Sequence, residues 1–209
     1  KAMIETGIYP DFIVIDGAEG GTGAAPLEFL DHIGMPLREG LLFVHNALVG
    51  LNIRDRIRIG VAGKITTAFD IARVMAMGAD WCNSARGFMM AVGCIQSQSC
   101  HTDRCPTGVA TQDPLRQMAL DVPDKSERVY RFHASTLKAL AEVVASAGLD
   151  HPSQLQPRHF SQRIAPNKVK SFDRLYRFLE PGELLRGTND PRYIEPWRIA
   201  RADSFTPAP

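Results

Sequence analysis

The chain has 209 residues, 44% of them hydrophobic and 22% charged, the balance of a folded globular domain rather than of a disordered or fibrous chain. Its 24 Lys and Arg against 23 Asp and Glu leave a formal charge of +1, so no global field directs it to nucleic acid or to a membrane surface. No apolar run approaches the roughly 18 residues of a membrane span, and the first residues hold no signal-peptide hydrophobic region, so a cytoplasmic location is expected.

In chain order, Asp11 to Asp16 is a short apolar run that stops at a glycine cluster, the pattern of a buried parallel strand meeting a loop. A helical stretch is expected to begin near Ala24-Ala25-Pro26, and a second from Arg38 to Asn52 with a broad apolar face. The next strand runs from Arg56 to Ala62 and ends at Gly63-Lys64. Thr67 then caps a helix whose Ile71, Val74 and Met75 share one face before Gly78 stops it. A third strand, roughly Ala79 to Ser84, leads to Ala85-Arg86-Gly87 and an apolar turn at Phe88 to Val92. A long amphipathic helix follows from Ser126 to about Ala147, with Val129, Phe132, Leu140, Val143 and Val144 inward.

Strands alternating with helices predict an α/β fold with a parallel sheet, and the candidate ligand loops all fall at strand carboxyl ends. About three βα units are present, whereas a (β/α)8 barrel typically takes about 250 residues. Residues 1–150 therefore read as the C-terminal part of a TIM-type barrel, unless they form a small open sheet. From His151 onward the texture changes: eight of the fourteen prolines lie in the last 59 residues, with ten basic against six acidic side chains. Residues 151–209 are expected to be a proline-rich, mildly basic extension that either wraps the barrel or wanders. One amphipathic turn of Phe172, Leu175, Tyr176, Phe178 and Leu179 would anchor it, with turn signals at Pro181-Gly182 and Asn189-Asp190-Pro191.

All four cysteines lie between Cys82 and Cys105, unlike the spread of a secreted disulfide framework. Cys94, Cys100 and Cys105 fall within twelve residues of a polar, turn-rich loop and are followed by Pro106, as in ferredoxin-type ligand runs. Spacing alone leaves three readings open: an iron-sulfur cluster, zinc with His101 or Cys82 as fourth ligand, or buried free thiols. The segment from Asp16 to Ala24 has four glycines in seven residues, which lets backbone approach a bound ring or anion. If the second and third strands are the seventh and eighth of a barrel, Gly63-Lys64 and Ala85-Arg86 occupy the loops that frequently bind phosphate. His32, His45, His133, His151 and His159 have no partner at ligand spacing, and Met75, Met77, Met89, Met90 and Met118 read as core filling.

Three blocks together, Glu19 to Pro26, Gly63-Lys64, and Gly93 to Asp113, resemble the FMN-binding domain of the glutamate synthase family, over roughly residues 1–150. The resemblance implies a (β/α)8 barrel with FMN and a 3Fe-4S cluster on Cys94, Cys100 and Cys105. It implies Gly21 and Thr22 near the flavin or substrate, and Gly63, Lys64, Ala85 and Arg86 near the FMN phosphate. The activity so implied is reductive amination of 2-oxoglutarate to L-glutamate. Ammonia would arrive free or from glutamine, and electrons from a ferredoxin or a flavoprotein subunit. The larger synthases have Gly-Thr where this chain has Ala85-Arg86, so a guanidinium joins the amide there. The family's amidotransferase domain, earlier strands and upstream acid/base residues are absent from these 209 residues, so this chain alone is expected to be incomplete. Other readings are a related barrel flavoenzyme acting on another amino-acid or N-methyl substrate, an IMP-dehydrogenase-like barrel using Cys82 or Cys94, and a non-catalytic electron-transfer module.

Overall fold

The computed structural model describes residues 1–19, 29 and 32–208; the helical stretch expected near Ala24-Ala25-Pro26 lies outside them. A short helix α1 (Ala2–Thr6) precedes strand β1 (Phe12–Asp16), helix α2 (Leu37–Gly50), strand β2 (Arg58–Ala62), helix α3 (Ala68–Ala76) and strand β3 (Trp81–Asn83). Helix α4 (Arg86–Val92) stands where an apolar turn was expected, because five of its seven residues are non-glycine apolar side chains with no breaker until Gly93.

The three strands form one parallel sheet in sequential order, Phe12 opposite Arg58 at one end and Asp16 opposite Ala62 at the other, with Gly60 opposite Trp81. Ile57, Ile59 and Val61 are fully buried, and Ile13 and Ile15 pack against the same core as Leu41, Leu48, Ala72 and Met77 of the helical layer. The opposite face of β1 carries Phe12 and Val14, 56% and 44% exposed, with Phe12 set edge-on to Trp81 at 5.5 Å. A sequential parallel sheet of this kind is compatible with part of a barrel.

Local chemistry explains the helix ends. Thr67 and Asp70 form a reciprocal capping box on α3, and Gly78 leaves the helix at φ +113°. A short helix α5 (Pro114–Gln117) and the long helix α6 (Val122–Ser146) follow the cysteine region. Helix α6 starts four residues before the expected Ser126, because Asp121 and Pro123 already supply a helix start. Its Phe132 meets Phe88 edge-on at 5.1 Å, and its Leu140, Val143 and Val144 join the main core.

The extension packs onto the same body. It contributes an antiparallel hairpin, β4 (Ser161–Ala165) and β5 (Lys168–Ser171), then helices α7 (Phe172–Leu175), α8 (Glu183–Arg186) and α9 (Pro191–Ile199). Leu155, Phe160 and Phe172 are buried in the main core, each contributing roughly 1.5–3 kcal/mol by leaving water. Leu179 belongs with Leu184 and Tyr193 in a second cluster against Phe43, Ala47 and Leu51 of the α2 region, so the expected single anchor is split in two. Asn46, fully buried on α2, ties the two together: its Nδ2 donates to Arg177 O at 3.0 Å and its Oδ1 accepts from Leu179 N at 2.9 Å.

Candidate functional site

The carboxyl ends of the three strands converge through a few hydrogen bonds. Gly17 N, just after β1, donates to Ala62 O at 2.9 Å, and Ser84 Oγ, just after β3, donates to Ile65 O at 2.7 Å. Between them Gly63 sits at φ +140° and Lys64 at φ +47°, so the chain makes a tight reversal that a side chain at Gly63 would strain. The Gly63-Lys64 and Ala85-Arg86 loops are therefore neighbours, as the barrel reading requires. Gly21 and Thr22 lie outside the described residues.

A cavity of about 320 Å³ opens beside this reversal, lined by Gly63, Lys64 and Ile65, by Arg38 at the start of α2, by Arg73 of α3, and by Glu19. Arg73 donates from Nη2 to Asp70 Oδ1 at 3.2 Å, while its Nε is buried without a hydrogen-bond partner. Arg73 was not singled out in the sequence, because a cation in the last turn of a helix reads there as a favourable dipole contact. Ala85 and Arg86 are outside this lining; Arg86 opens α4 half-buried, one loop away.

The cysteine loop leaves α4 at Gly93, whose φ of +121° turns the chain so that Cys94 N donates to Met89 O at 2.9 Å. A single 3-10 turn spans Cys100–Thr102. The far side is stitched by Asp103: its carboxylate accepts from Gln112 N at 2.6 Å and its carbonyl from Thr111 Oγ1 at 2.6 Å. Asp113 then caps α5 through Leu115 N at 2.9 Å. These stitches bring the two ends of a long polar segment together.

The four cysteines are free thiols in two environments. Cys82 is partly buried against the main core, and burial pushes its thiol up to about 12, which disfavours the thiolate that a loop nucleophile needs. At Cys105, burial also opposes the thiolate. The Thr107 hydroxyl and the backbone amides of Ala110, Thr107 and Val109 outweigh it and bring the thiol down to about 7. Cys94 is half-buried and accepts from Gln96 N at 3.4 Å. Among the described residues no three His, Cys, Asp or Glu side chains converge as a single metal ion would need. A cluster spreads its thiolates over several irons, and the donor chemistry suits one: three free thiols in one loop, one of them already supplied with the amide donors that cluster sulfurs take.

Of the other residues weighed from the sequence, His45 and Met77 have structural surroundings. His45 is packed between Arg54 and Phe178, and burial, then the charge of Arg54, lowers it to about 4 against a smaller opposing pull from Asp80. Met77 is core, but Met118 is 79% exposed and Met90 38%, so those two do not fill gaps.

Residues 2–150 match a family model described as the conserved region in glutamate synthase. The chain belongs to the glutamate synthase family. This is a family of oxidoreductase enzymes, and the match takes in all three strands and the whole cysteine loop. Among glutamate synthase relatives, the large subunit-like protein YerD of Bacillus subtilis is 40% identical over 173 residues, 83% of this chain and 33% of that protein. The ferredoxin-dependent glutamate synthase of Pyropia yezoensis is 39% identical over 139 residues, 66% of this chain and 9% of that protein. The NADPH glutamate synthase large chain of Bacillus subtilis is 33% identical over 160 residues, 72% of this chain and 10% of that protein. The chain thus spans a third or less of the glutamate synthase relatives it matches. No helix among the described residues is long and apolar enough to cross a membrane.

Proposed function

We propose that this chain is the C-terminal part of a glutamate-synthase-type (β/α)8 barrel, residues 1–150, with a proline-rich extension over 151–209, in an enzyme that reductively aminates 2-oxoglutarate to L-glutamate. The observation that carries the reading is one continuous family match through the strand-end loops and the cysteine loop. The relatives include ferredoxin-dependent synthases, which supports a ferredoxin as electron donor, with a flavoprotein subunit as the alternative donor. Because the chain spans a third or less of those relatives, the activity is proposed for the whole protein that carries it.

In the reaction, ammonia, free or derived from glutamine, condenses with the 2-oxo group and water leaves, giving 2-iminoglutarate. A hydride added to the imine carbon and a proton to its nitrogen give glutamate. Bound FMN would supply the hydride, and a 3Fe-4S cluster would pass it the donor's electrons one at a time. The chain's own part is to hold both groups. Lys64, with the backbone of Gly63 and Ala85, would face the FMN phosphate, and Arg86 would add a forked guanidinium. The bond from Ser84 to Ile65 keeps those two loops side by side. Gly21 and Thr22 are assigned to the flavin or substrate, and Cys94, Cys100 and Cys105 to the cluster.

The test is anaerobic purification of the full-length protein with iron, sulfide and flavin counts, EPR, and an assay of glutamate from 2-oxoglutarate, ammonia and a reductant. Cys100→Ala is expected to lose iron while keeping flavin. Equal iron in both proteins removes the cluster assignment, and an absence of glutamate from a flavin-loaded enzyme removes the reaction.

A further inference from the structure

We infer that Lys125 is a positioning residue that sets a positive charge beside the Cys94 end of the cluster and raises its reduction potential; this rests on the cluster reading above. Lys125 lies in the first turn of α6, where a cation opposes the helix dipole, so helix stability does not account for its place there. Its side chain is only 22% exposed. A Cβ at Gly93 would lie 3.9 Å from both Cε and Nζ of Lys125, which puts the ammonium against the residue preceding Cys94. Lys125, Arg128, Cys94 and Thr107 line one cavity of about 470 Å³. The counter-ion, Asp124 at 3.1 Å, is 54% exposed, so water screens it from the loop more than it screens Lys125.

The thiols at the two ends of the loop each have a neutral hydrogen-bond partner, the Thr107 hydroxyl 3.5 Å from Cys105 and the Gln96 amide 3.4 Å from Cys94, so Lys125 is a charge added at the Cys94 end. The carboxylate of Asp103 is engaged by Gln112 N. A cluster gains one negative charge when it takes an electron from the donor, and a nearby ammonium stabilises that reduced form more than the oxidised one.

The experiment is an EPR-monitored redox titration of anaerobically purified full-length protein, comparing wild type, Lys125→Gln and Lys125→Arg, each with its iron and flavin counted. Lys125→Gln is expected to keep iron and lower the midpoint, so that at fixed potential the reduced-to-oxidised ratio falls roughly tenfold, about 59 mV for a one-electron couple. Lys125→Arg keeps the wild-type midpoint. An unshifted midpoint in iron-replete Lys125→Gln overturns the inference alone. Equal shifts in both variants, or iron loss in both, make Lys125 a packing residue and overturn it as well. Wild type without iron overturns the cluster reading, and this inference with it, so the iron count separates the two failures.

Discussion

Replacing Asn46 by alanine should release the extension without melting the sheet. Asn46 is fully buried, and its side chain makes the two bonds that hold Arg177 O and Leu179 N against α2. Alanine removes both and leaves the Leu179 amide, buried at that contact, without a partner. A typical bond contributes about 1 kcal/mol and an orphaned buried group costs about 1–3 kcal/mol, so the local loss should be about 2–4 kcal/mol. If residues 177–185 open as a unit, that loss speeds amide exchange there about 30- to 1000-fold, at about 1.4 kcal/mol per tenfold. Hydrogen exchange with mass spectrometry on the full-length protein reads this directly, with peptides covering β2 as the internal reference. Unchanged protection over 177–185 would refute the anchoring role, and equal acceleration in β2 would show that the extension and the sheet open together.

His45 should give acid sensitivity: its folded pKa, about 4, lies below the 6.5 of a free histidine, so between those values the unfolded chain binds a proton that the native state does not. Stability from this group is present above pH 6.5 and lost as pH falls toward 4, by roughly 3 kcal/mol, and His45→Gln should flatten the urea midpoint against pH over that window. If the variant loses as much stability as wild type, the burial argument is wrong. Cys82, with its thiol near 12, should resist iodoacetamide at pH 8 until the protein is denatured; early alkylation at Cys82 on a peptide map would contradict the raised pKa. Arg86→Ala should weaken flavin binding about 10- to 100-fold, as expected for one charge-assisted bond to phosphate, and an unchanged flavin dissociation constant would remove Arg86 from the site.

What was legible along the chain was local. The three strands, the Thr67 cap, the Gly78 stop and the inward face of α6 follow from hydrophobic period and capping chemistry, which act within a few residues. The same locality explains the errors. Helix α4 was read as a turn because the five apolar residues Phe88 to Val92 show little period of their own, and the hairpin of β4 and β5 escaped notice because its exposed, polar strands lack an apolar face. The cysteine block marked itself by composition, but its shape depends on Asp103 reaching Thr111 and Gln112, and no pattern rule links those positions.

By itself, then, the sequence determined the alternation of strands and helices, the family, and which cysteines share a loop. Only the tertiary structure decided that Cys82 packs against the core while Cys105 is biased toward thiolate, because the difference lies in desolvation and in amides brought together by folding. It also decided that the extension is part of the core, since a tail rich in proline can pack as readily as wander, and here Phe160, Phe172 and the buried Asn46 hold it in place.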